Sequence, residues 1–499
     1  MKNLLSQTDR RQLLAIEILY AENDWITLAE ITKELNCSVR VLKSDIAYFK
    51  EVFDEFTIEG SNKGVRLVMN HNFGLRSFYQ YTLERSDAYN LIEYVFLNEG
   101  VTVVELTKYL SLGSSTVYRL LDQINGILLE YGFQIETNPC QFVGSEKDIR
   151  YFFYNYFREK YSFLAWPYVS IPKEPFNQLL NYLLNLYGLD VDYSYYHVVQ
   201  TVCAINIIRY KHGHRINIDK HKVDRNKITP EFNYDEEAFL NFEEETGIEV
   251  NDMFLLQVFS PYIQDYFSPN YAHLMKIAEQ STQTVKEVTF LKEFLIETSK
   301  KHELTLANQE EMILEINNLT HLEYQEPRSG YIFNNYTHSF AKQVEQKFPS
   351  FYRDLYEGIK EYRQLMGMPI TKDGINFLIH VIFTRWPNLL TEFRKKFESI
   401  KLLVLSDHHI SHAQMVKDLI EYEFSEKIVV DVYEGIELNE EILKEINYDI
   451  IVANFPLPAT EERYTVNFEA LPTFNDILKI RNVVDDIYKE RIQDRHKNK

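Results

Sequence analysis

Three cationic side chains near the amino terminus, Arg40, Lys43 and Lys50, have the spacing of one helix face. Residues that are three, four or seven positions apart lie on the same side of an α-helix, and Ser44 belongs to that side. Such a face offers charges and hydrogen-bond donors to the phosphates and base edges of double-stranded DNA. An arginine that contacts a guanine would contribute roughly 1–3 kcal/mol of discrimination. We therefore predict that these four residues contact DNA.

The elements that would present this face are two short helices joined by a tight turn. Thr27 and Glu30 have the sequence pattern of a capping box, which begins a helix. Asn36 interrupts the helical pattern, and Ser38 has the right side chain to cap a second helix. Two helices in this arrangement indicate a helix-turn-helix. The apolar stripe expected for the second helix consists of Val39, Leu42, Ile46, Phe49 and Phe53.

A β-hairpin is predicted after Phe53, because the stretch F-T-I-E-G-S-N-K-G-V-R-L-V-M alternates around a turn that contains glycines. Asn62 and Lys63 would occupy the tip of this hairpin, where they can reach DNA. An apolar pattern between residues 13 and 20 predicts a further helix ahead of the helix-turn-helix. Three helices followed by a hairpin make a winged helix-turn-helix domain.

The same pattern recurs at an offset of 75 residues, which indicates an internal duplication. Thr102 and Glu105 repeat the capping box. Asp122 would lie on the outer face of the second copy and repel phosphate, so we expect this copy to bind DNA more weakly. The repeated apolar positions are Val117, Leu121, Ile124 and Leu128. The predicted DNA-facing positions are Ser115, Tyr118, Arg119 and Asn125.

The overall charge limits where DNA could bind. The chain has a net charge of −21, and residues 231–252 carry nine acidic side chains and no basic one. Phosphate binding favours basic surfaces, so any DNA-binding surface must be local and small. Helix-turn-helix patterns also occur in proteins that never touch DNA. The alternative is therefore a sensory or scaffold protein whose winged domains make only protein contacts.

Histidine is the second kind of side chain in this sequence that could do chemistry. A neutral imidazole can accept a phosphoryl group on nitrogen, and it titrates near neutral pH. His197 and His380 lie in apolar segments that are predicted to be helical. Histidines in such segments are more often hydrogen-bonded core residues, so both interpretations stay open at this point. His212 and His214 could be metal ligands, but no cysteine or acid at ligand spacing supports that interpretation.

Beyond about residue 400, short β-branched runs alternate with helical segments, which predicts a small α/β domain with a parallel sheet. The loop after the first run, S-D-H-H-I-S-H, would lie at the carboxyl edge of the sheet, where ligands usually bind. Asp407, His408 and His412 could form a metal set, but a helix that starts near Ser411 would break its geometry. We therefore expect no metal and no other cofactor. The predicted strands are 401–406, 427–433 and 449–454.

Composition favours a cytoplasmic, mainly α-helical protein with several domains. Tyr and Phe are abundant (35 and 33) while Gly and Pro are sparse (16 and 14), which indicates long helices and few open loops. Three widely separated cysteines argue for a reducing compartment and against a disulfide scaffold. No stretch approaches the roughly 18 apolar residues of a membrane helix, and the amino terminus lacks the pattern of a signal peptide. We expect no interaction with membranes.

Taken in order, these parts resemble the Mga/AtxA family of transcription (virulence) regulators from Gram-positive bacteria. The resemblance covers essentially the whole chain and implies a DNA-binding transcription regulator that is dimeric or of higher order and is not an enzyme. The alternative becomes a sensory or scaffold phosphoprotein of the phosphotransferase system. The implied domains are two winged helix-turn-helix domains at 1–70 and 71–165, two all-α phosphotransferase-system regulation domains at 171–285 and 286–395, and an EIIB-like α/β domain at 396–499.

The resemblance also implies roles for single histidines. His197 and His380 match histidine-bearing segments that the phosphocarrier protein HPr phosphorylates in related regulators. A regulation domain usually offers two histidines. The partner of His380 could be His321 or His338. The first domain has Gln257 in the position that matches His380.

The EIIB-like domain departs from the sugar-transporter component that it resembles. That component carries a nucleophilic cysteine after its first strand, and Ser406 holds the position here, followed by Asp407. A serine without a nearby base is a poor phosphoryl acceptor, and the carboxylate would repel a phosphate. We therefore expect a non-catalytic assembly or sensing domain that supports dimer formation.

Overall fold

A computed structural model of the chain is mainly helical and divides into two compact units. The first unit consists of Met1–Leu295, Asn308–Lys342 and Leu355–Arg385, and the second of Ile296–Ala307, Gln343–Asp354 and Trp386–Lys499. The structure describes residues 1–22, 24–71, 73–186, 191–218, 236–262, 267–324, 330–395, 399–424, 428–435, 437–457 and 464–497. Residues 231–235 of the acidic run lie outside this set. None of the described helices has the length and apolar content that a membrane span requires.

The first winged helix-turn-helix domain forms as the sequence predicts. Glu30 N–H donates to Thr27 Oγ1 over 3.3 Å, and Thr27 N–H donates to Glu30 Oε2 over 2.9 Å, which completes the capping box. Asn36 ends that helix with φ 49°, a left-handed conformation that asparagine tolerates better than most residues. The helices are Gln7–Glu22, Leu28–Leu35 and Val39–Val52, the last being the first recognition helix, and the hairpin strands are Phe56–Ser61 and Gly64–Met69.

The second winged helix-turn-helix domain repeats this architecture, which confirms the duplication. Glu105 N–H donates to Thr102 Oγ1 over 3.3 Å, and Thr102 N–H donates to Glu105 Oε2 over 2.7 Å. Ser111 ends the capped helix with φ 54°, at the position equivalent to Asn36. The helices are Leu75–Arg85, Asp87–Leu97, Val103–Leu110, Ser114–Leu128 (the second recognition helix) and Glu146–Lys160, and the hairpin strands are Phe133–Thr137 and Cys140–Gly144.

The regulation segment, residues 171–395, follows the winged domains. In the part that the structure describes, it contains helices and no strand. In the first unit, an apolar core extends from Leu4 to Phe333 and includes residues of both winged domains and of the regulation helices. Phe333, for example, lies with its ring centroid 6.0 Å from that of Tyr79 and 5.5 Å from that of Tyr89. The described helices are Lys173–Leu186, Tyr193–Lys211, Glu237–Thr246, Asp252–Val258, Tyr271–Gln280, Thr282–Lys301, Gln309–Tyr324, Tyr336–Lys347, Pro349–Leu365, Lys372–Arg385 and Leu389–Lys395.

The carboxy-terminal domain, in the second unit, contains a parallel sheet of four described strands, one more than predicted. Leu402 pairs with Val430 on one side and with Ile450 on the other. The additional strand has the sequence Y-T-V-N, of which only Val466 is buried, so its pattern is too short and too polar to be recognised. The strands in spatial order are Ile428–Val432, Ile400–Leu405, Ile450–Ala453 and Tyr464–Asn467, and the helices are Ile410–Phe424, Glu440–Glu445 and Phe474–Lys497.

Candidate nucleic-acid interface and histidine sites

The first recognition helix exposes the side chains that the sequence predicts to contact DNA. Ser38 caps this helix by accepting a hydrogen bond from Val41 N–H over 3.3 Å. Leu42 and Phe49 are buried on its inner side. Val39 is 42 % exposed and does not belong to the predicted apolar stripe, because it is the first helical residue, ahead of the first buried turn. The exposed residues on the outer side include Arg40, Lys43, Ser44 and Lys50.

Asp45, the only acidic residue between Ser38 and Lys50, does not reach the outer face of this helix. Its side chain is buried, and Arg11 Nε donates to its Oδ2 over 2.6 Å. Gln12 Nε2 donates to its Oδ1 over 3.0 Å. The arginine neutralises the carboxylate and both donors come from the first helix, so Asp45 attaches the recognition helix to its neighbour. The outer face therefore carries cationic and polar side chains, and Glu51, in the last turn, is the exposed acid of this helix.

Backbone pairing positions the tip of the first wing. Asn62 and Lys63 form the turn between the two strands, and both are exposed. Ile26 and Val65 exchange two backbone hydrogen bonds of 2.9 Å, which tie the wing to the chain just before the capping box. Gly64 has φ +127°, and a Cβ atom there would lie 2.1 Å from the carbonyl oxygen of Ile26. Only glycine permits this close approach, so the wing depends on it.

The second recognition helix exposes three of its four predicted DNA-facing residues: Ser115, Tyr118 and Arg119. Asn125 is the exception, and its prediction is corrected. Its Nδ2 donates to the carbonyl oxygen of Ile135, and its Oδ1 accepts from the Ile135 N–H, each over 2.8 Å. Asn125 thus joins the helix to its own wing instead of facing outwards. Asp122 is exposed on the surface of this helix, as expected.

His197 lies half-buried in the helix Tyr193–Lys211, with its ring centroid 4.2 Å from that of Phe163. Burial, and secondly the positive charge of Arg158, lower the pKa of His197 below its ordinary value. The imidazole is therefore neutral at pH 7, which is the form whose nitrogen can attack phosphorus. Arg158 belongs to the helix Glu146–Lys160 of the second winged domain, so a histidine of the regulation segment lies near a cation of the DNA-binding segment.

His380 lies half-buried in the helix Lys372–Arg385, against the edges of two aromatic rings. The centroids of Tyr336 and Phe340 lie 5.3 and 4.8 Å from that of the imidazole. Burial, and secondly the charge of Arg385, lower the pKa of His380. The residue lines a cavity of about 1190 Å³ in the first unit. Like His197, it is a neutral imidazole that is not sealed in the core.

The two candidates for the partner of His380 have different surroundings. His338 Nδ1 is 3.3 Å from Nδ2 of Asn376, one turn before His380 on the same helix. His321 Nε2 is 3.3 Å from Oε2 of Glu287 on the helix Thr282–Lys301. The hydrogen bond to the His380 helix favours His338. Gln257, which holds the position of His380 in the first domain, is buried. Its amide group exchanges two hydrogen bonds with the backbone N–H and carbonyl group of Ile216.

A buried charge cluster joins the helix Tyr193–Lys211 to the second winged domain. Arg209 Nη1 is 3.0 Å from Glu99 Oε2, and its Nη2 is 2.7 Å from Glu146 Oε2. Glu99 also accepts a backbone N–H of the second wing over 2.9 Å. Burial is the largest single effect and favours the neutral carboxyl groups, but the hydrogen bonds to each glutamate and the positive charge of Arg209 together outweigh it. The pKa of each glutamate therefore lies below its ordinary value.

The loop at the carboxyl edge of the carboxy-terminal sheet brings Ser406 and His412 together. Ser406 Oγ is 2.9 Å from His412 Nδ1, and His412 Nε2 is 2.6 Å from the carbonyl oxygen of Ala470. The expectation that Ser406 lacks a nearby base is therefore wrong. Within the described ranges, no group of three or more His, Cys, Asp and Glu side chains could hold a metal ion.

Three matches to known domain families follow one another along the chain. The M protein trans-acting positive regulator (MGA) HTH domain matches residues 6–64, and the Mga helix-turn-helix domain matches residues 71–157. The M protein trans-acting positive regulator (MGA) PRD domain matches residues 172–389.

The chain belongs to the Mga/AtxA family. As a member of this family it is a DNA-binding transcription regulator whose activity is controlled through its PRD segment.

Three relatives of this Mga-family chain align with it over nearly their whole length. The putative trans-acting regulator of Streptococcus pneumoniae serotype 4 is 27 % identical over 468 residues, which are 93 % of this chain and 94 % of that protein. The capsule synthesis positive regulator AcpB of Bacillus anthracis is 21 % identical, over 95 % of this chain and 98 % of its own. The anthrax toxin expression trans-acting positive regulator of B. anthracis is 20 % identical, with the same coverage.

Sequence reasoning missed three interactions in this Mga-family chain: the burial of Asp45, the cluster around Arg209 and the pairing of Ser406 with His412. Only the second had a local signal. Arg209 follows two isoleucines in an apolar helix, and a buried arginine requires an acidic partner. The other two depend on contacts that no fixed spacing encodes.

Proposed function

We propose that the first recognition helix and its wing make the main contacts of this regulator with double-stranded DNA. The observation that carries the proposal is the outer face of that helix, which exposes three cations. Asp45 is buried against Arg11, and Glu51, in the last turn, is the one exposed acid of this helix. Asn62 and Lys63 extend the surface at the wing tip. The second copy contributes a weaker contact, because Asp122 lies among its polar residues. The main set is Arg40, Lys43, Ser44 and Lys50, and the weaker set is Ser115, Tyr118 and Arg119.

This surface can be tested by fluorescence anisotropy. The DNA fragments are those that the parent protein binds when it is presented with the genomic DNA of its source organism. Lys43→Ala should weaken binding to every fragment and reduce the slope of log Kd against log salt by about 1, because one phosphate contact is lost. Arg40→Ala should cost roughly 1–3 kcal/mol at one base position if it reads a guanine. Lys276→Ala, an exposed lysine on the helix Tyr271–Gln280, is the matched control and should change neither. A parent protein that binds no fragment at low salt would favour the sensory or scaffold alternative.

We further propose that His197 and His380 accept phosphoryl groups from an HPr-type phosphocarrier protein. Both imidazoles are neutral and half-exposed, and each lies in the field of an arginine, Arg158 and Arg385 respectively. The field that disfavours imidazolium favours a phosphoryl dianion at the same place. At His197, the new charge would attract Arg158 of the second winged domain. This attraction supports a route from phosphorylation to DNA binding.

Incubation with enzyme I, HPr and labelled phosphoenolpyruvate tests the histidines. The parent chain should take up acid-labile label, and a His197→Ala, His380→Ala double variant should lose it. His302→Ala, which removes a histidine bound to Asp354, is the control and should label like the parent. A double variant that labels fully would contradict the assignment. Comparison of His338→Ala with His321→Ala identifies the partner of His380, for which the contact with Asn376 supports His338.

We propose that the regulator acts in the cytoplasm as a homodimer or higher oligomer, as a positive regulator and not as an enzyme. One recognition helix with three cations on a chain of net charge −21 should bind DNA weakly. Oligomerisation would raise the affinity by presenting several copies at once. Two relatives, AcpB and the anthrax toxin expression regulator of B. anthracis, are named positive regulators, which supports positive regulation here. Light scattering on the protein–DNA complex measures its stoichiometry, and one chain per binding site would contradict the proposal.

A further inference from the structure

Ser406, His412 and the carbonyl group of Ala470 form a hydrogen-bonded chain in the carboxy-terminal domain. A carbonyl oxygen can only accept, so His412 Nε2, 2.6 Å from the oxygen of Ala470, must carry a proton. In the neutral ring Nδ1 is then an acceptor, and Ser406 Oγ donates to it over 2.9 Å. Ser406 Oγ also accepts the backbone N–H of His408 over 3.1 Å. The serine proton is thus aligned on a base whose tautomer is held in place.

The loop that carries Ser406 and the first turn of the following helix, which carries His412, are accessible and well anchored. Ser406 and His412 are half-buried, whereas the side chains of Asp407 and His408 are 55 % and 53 % exposed. Asn454, just after the neighbouring strand, accepts the Asp407 N–H over 2.9 Å and donates to the Asp407 carboxylate. The loop follows a strand of a parallel sheet and precedes a helix of 15 residues, a position where α/β domains bind ligands.

We propose that Ser406 is a phosphoryl-acceptor site with His412 as its general base, and that the donor is an N-phosphoryl compound of the phosphohistidine class. The loop S-D-H-H-I-S-H contains no glycine with which to enclose the phosphates of a nucleotide. The donor must therefore carry a phosphoryl group that is already activated and needs no glycine-rich phosphate-binding loop from this chain. A phosphorylated imidazole is such a donor. The site lies in the second unit and does not depend on the proposal for His197 and His380.

The transfer balances without a further reactant. Ser406 Oγ forms a bond to phosphorus, and the bond between phosphorus and the donor nitrogen breaks. The hydroxyl proton moves to His412 Nδ1 and then to the departing nitrogen, so the products are a serine phosphate ester and a neutral donor imidazole. Asp407 opposes the dianionic product by charge repulsion. The ester resists acid, in contrast to the donor's N–P bond, so the phosphorylation of Ser406 would be long-lived.

The test uses the full chain and two donors, potassium phosphoramidate and HPr phosphorylated by enzyme I. After acid treatment, peptide mass spectrometry and retained label report ester formation alone. The parent should retain label on Ser406 with at least one donor, and Ser406→Ala should lose it. His412→Ala should slow labelling on the order of 10²-fold, because a general base contributes that much, and free imidazole should restore part of the rate. Asp407→Asn should speed labelling several-fold by removing the repulsion.

Ser411→Ala is the matched control, because Ser411 is an exposed serine beside His412 in the first turn of the helix Ile410–Phe424, and it should label like the parent. If label is retained with phosphoramidate but not with phosphorylated HPr, Ser406 accepts the phosphoryl group from a small donor. If label is retained with phosphorylated HPr but not with phosphoramidate, Ser406 accepts it from a protein donor. No retained label with either donor would overturn the proposal. Label that survives Ser406→Ala would overturn it as well. A His412→Ala rate equal to that of the parent, or a reduced rate that imidazole does not raise, would overturn the role of His412.

Discussion

Replacement of Arg209 by methionine should destabilise the first unit strongly. The change keeps an unbranched side chain of similar size but removes the cation between two buried carboxylates. The side chains of Glu99 and Glu146 are only 4 % and 13 % exposed. Removing one partner of a buried ion pair costs about 3–5 kcal/mol, because the remaining charge stays buried without compensation.

The remaining hydrogen-bond partners of the two carboxylates reduce this cost in Arg209→Met. His214 Nε2 lies 2.8 Å from Glu99 Oε2, and Arg150 Nε lies 2.8 Å from Glu146 Oε1. Glu146 keeps Arg150 as a donor, and Glu99 keeps both His214 and the Phe142 N–H. We therefore expect a loss at the lower end of the range, about 3 kcal/mol.

Urea unfolding followed by tryptophan fluorescence measures this loss. Trp386→Phe in the background leaves Trp25 and Trp166, both in the first unit, as reporters. Lys360→Met, from an exposed ion pair with Glu357 in the same unit, is the matched control and should cost under about 1 kcal/mol. A loss in Arg209→Met that is no larger than in the control would refute the inference that the buried cluster stabilises this unit.

The pH dependence of the Arg209→Met effect has a definite sign. In the parent, the pKa of Glu99 and of Glu146 lies below the ordinary value of 4.5, so their contribution to stability is present above about that pH. It is lost as the pH falls through the pKa of the folded state. Without the arginine, burial raises both pKa values, and mild acid neutralises the unpaired charges. The stability difference between parent and variant should therefore be largest near pH 7 and shrink towards pH 4.

Three further predictions concern single residues. Asn125→Ala should lower the free energy of unfolding by about 1–3 kcal/mol, because two hydrogen bonds are lost. The DNA affinity of the folded protein should stay unchanged. Weaker DNA binding without destabilisation would show that Asn125 contacts DNA after all. Gly64→Ala should displace the first wing, because its Cβ atom would meet Ile26, and should weaken DNA binding; parental affinity and thermal stability would contradict this. His197 and His380 should titrate below pH 6.5 in NMR spectra, since the pKa of each is lowered, and midpoints at or above 6.5 would contradict the burial argument.

Local patterns in the sequence predicted the elements of the DNA-binding region well. The capping boxes at Thr27 and Thr102 were recognisable because their partners lie three residues away, within one helical turn. The wing after Phe53 was recognisable because alternation and a glycine turn are also local. The fourth strand of the carboxy-terminal sheet was missed, because Y-T-V-N becomes a strand by pairing with Ile450–Ala453 and not by its own pattern.

Side-chain roles were less predictable than elements. Lys50 and Asn125 occupy equivalent positions of the two recognition helices, yet Lys50 is exposed and Asn125 binds the backbone of its own wing. The amide group of Asn125 can donate to the carbonyl group and accept from the N–H of one residue, Ile135, at the same time, which an ammonium group cannot do. Duplication therefore preserved the helix positions while their chemistry diverged.

The sequence by itself determined the succession of domains, the two recognition helices and which cations lie on their outer faces, because each follows from a helical or strand period along one stretch of chain. Only the tertiary structure decided which charges are available to partners. The negative charge of Asp45 is neutralised by Arg11, which lies 34 residues away in the sequence. Arg209 forms an ion pair with Glu99, from which it is separated by 110 residues. His412 meets Ser406 only because the loop folds back at the sheet edge. Electrostatic pairing and hydrogen bonding depend on distance in space, which the order of residues specifies only through the packed fold.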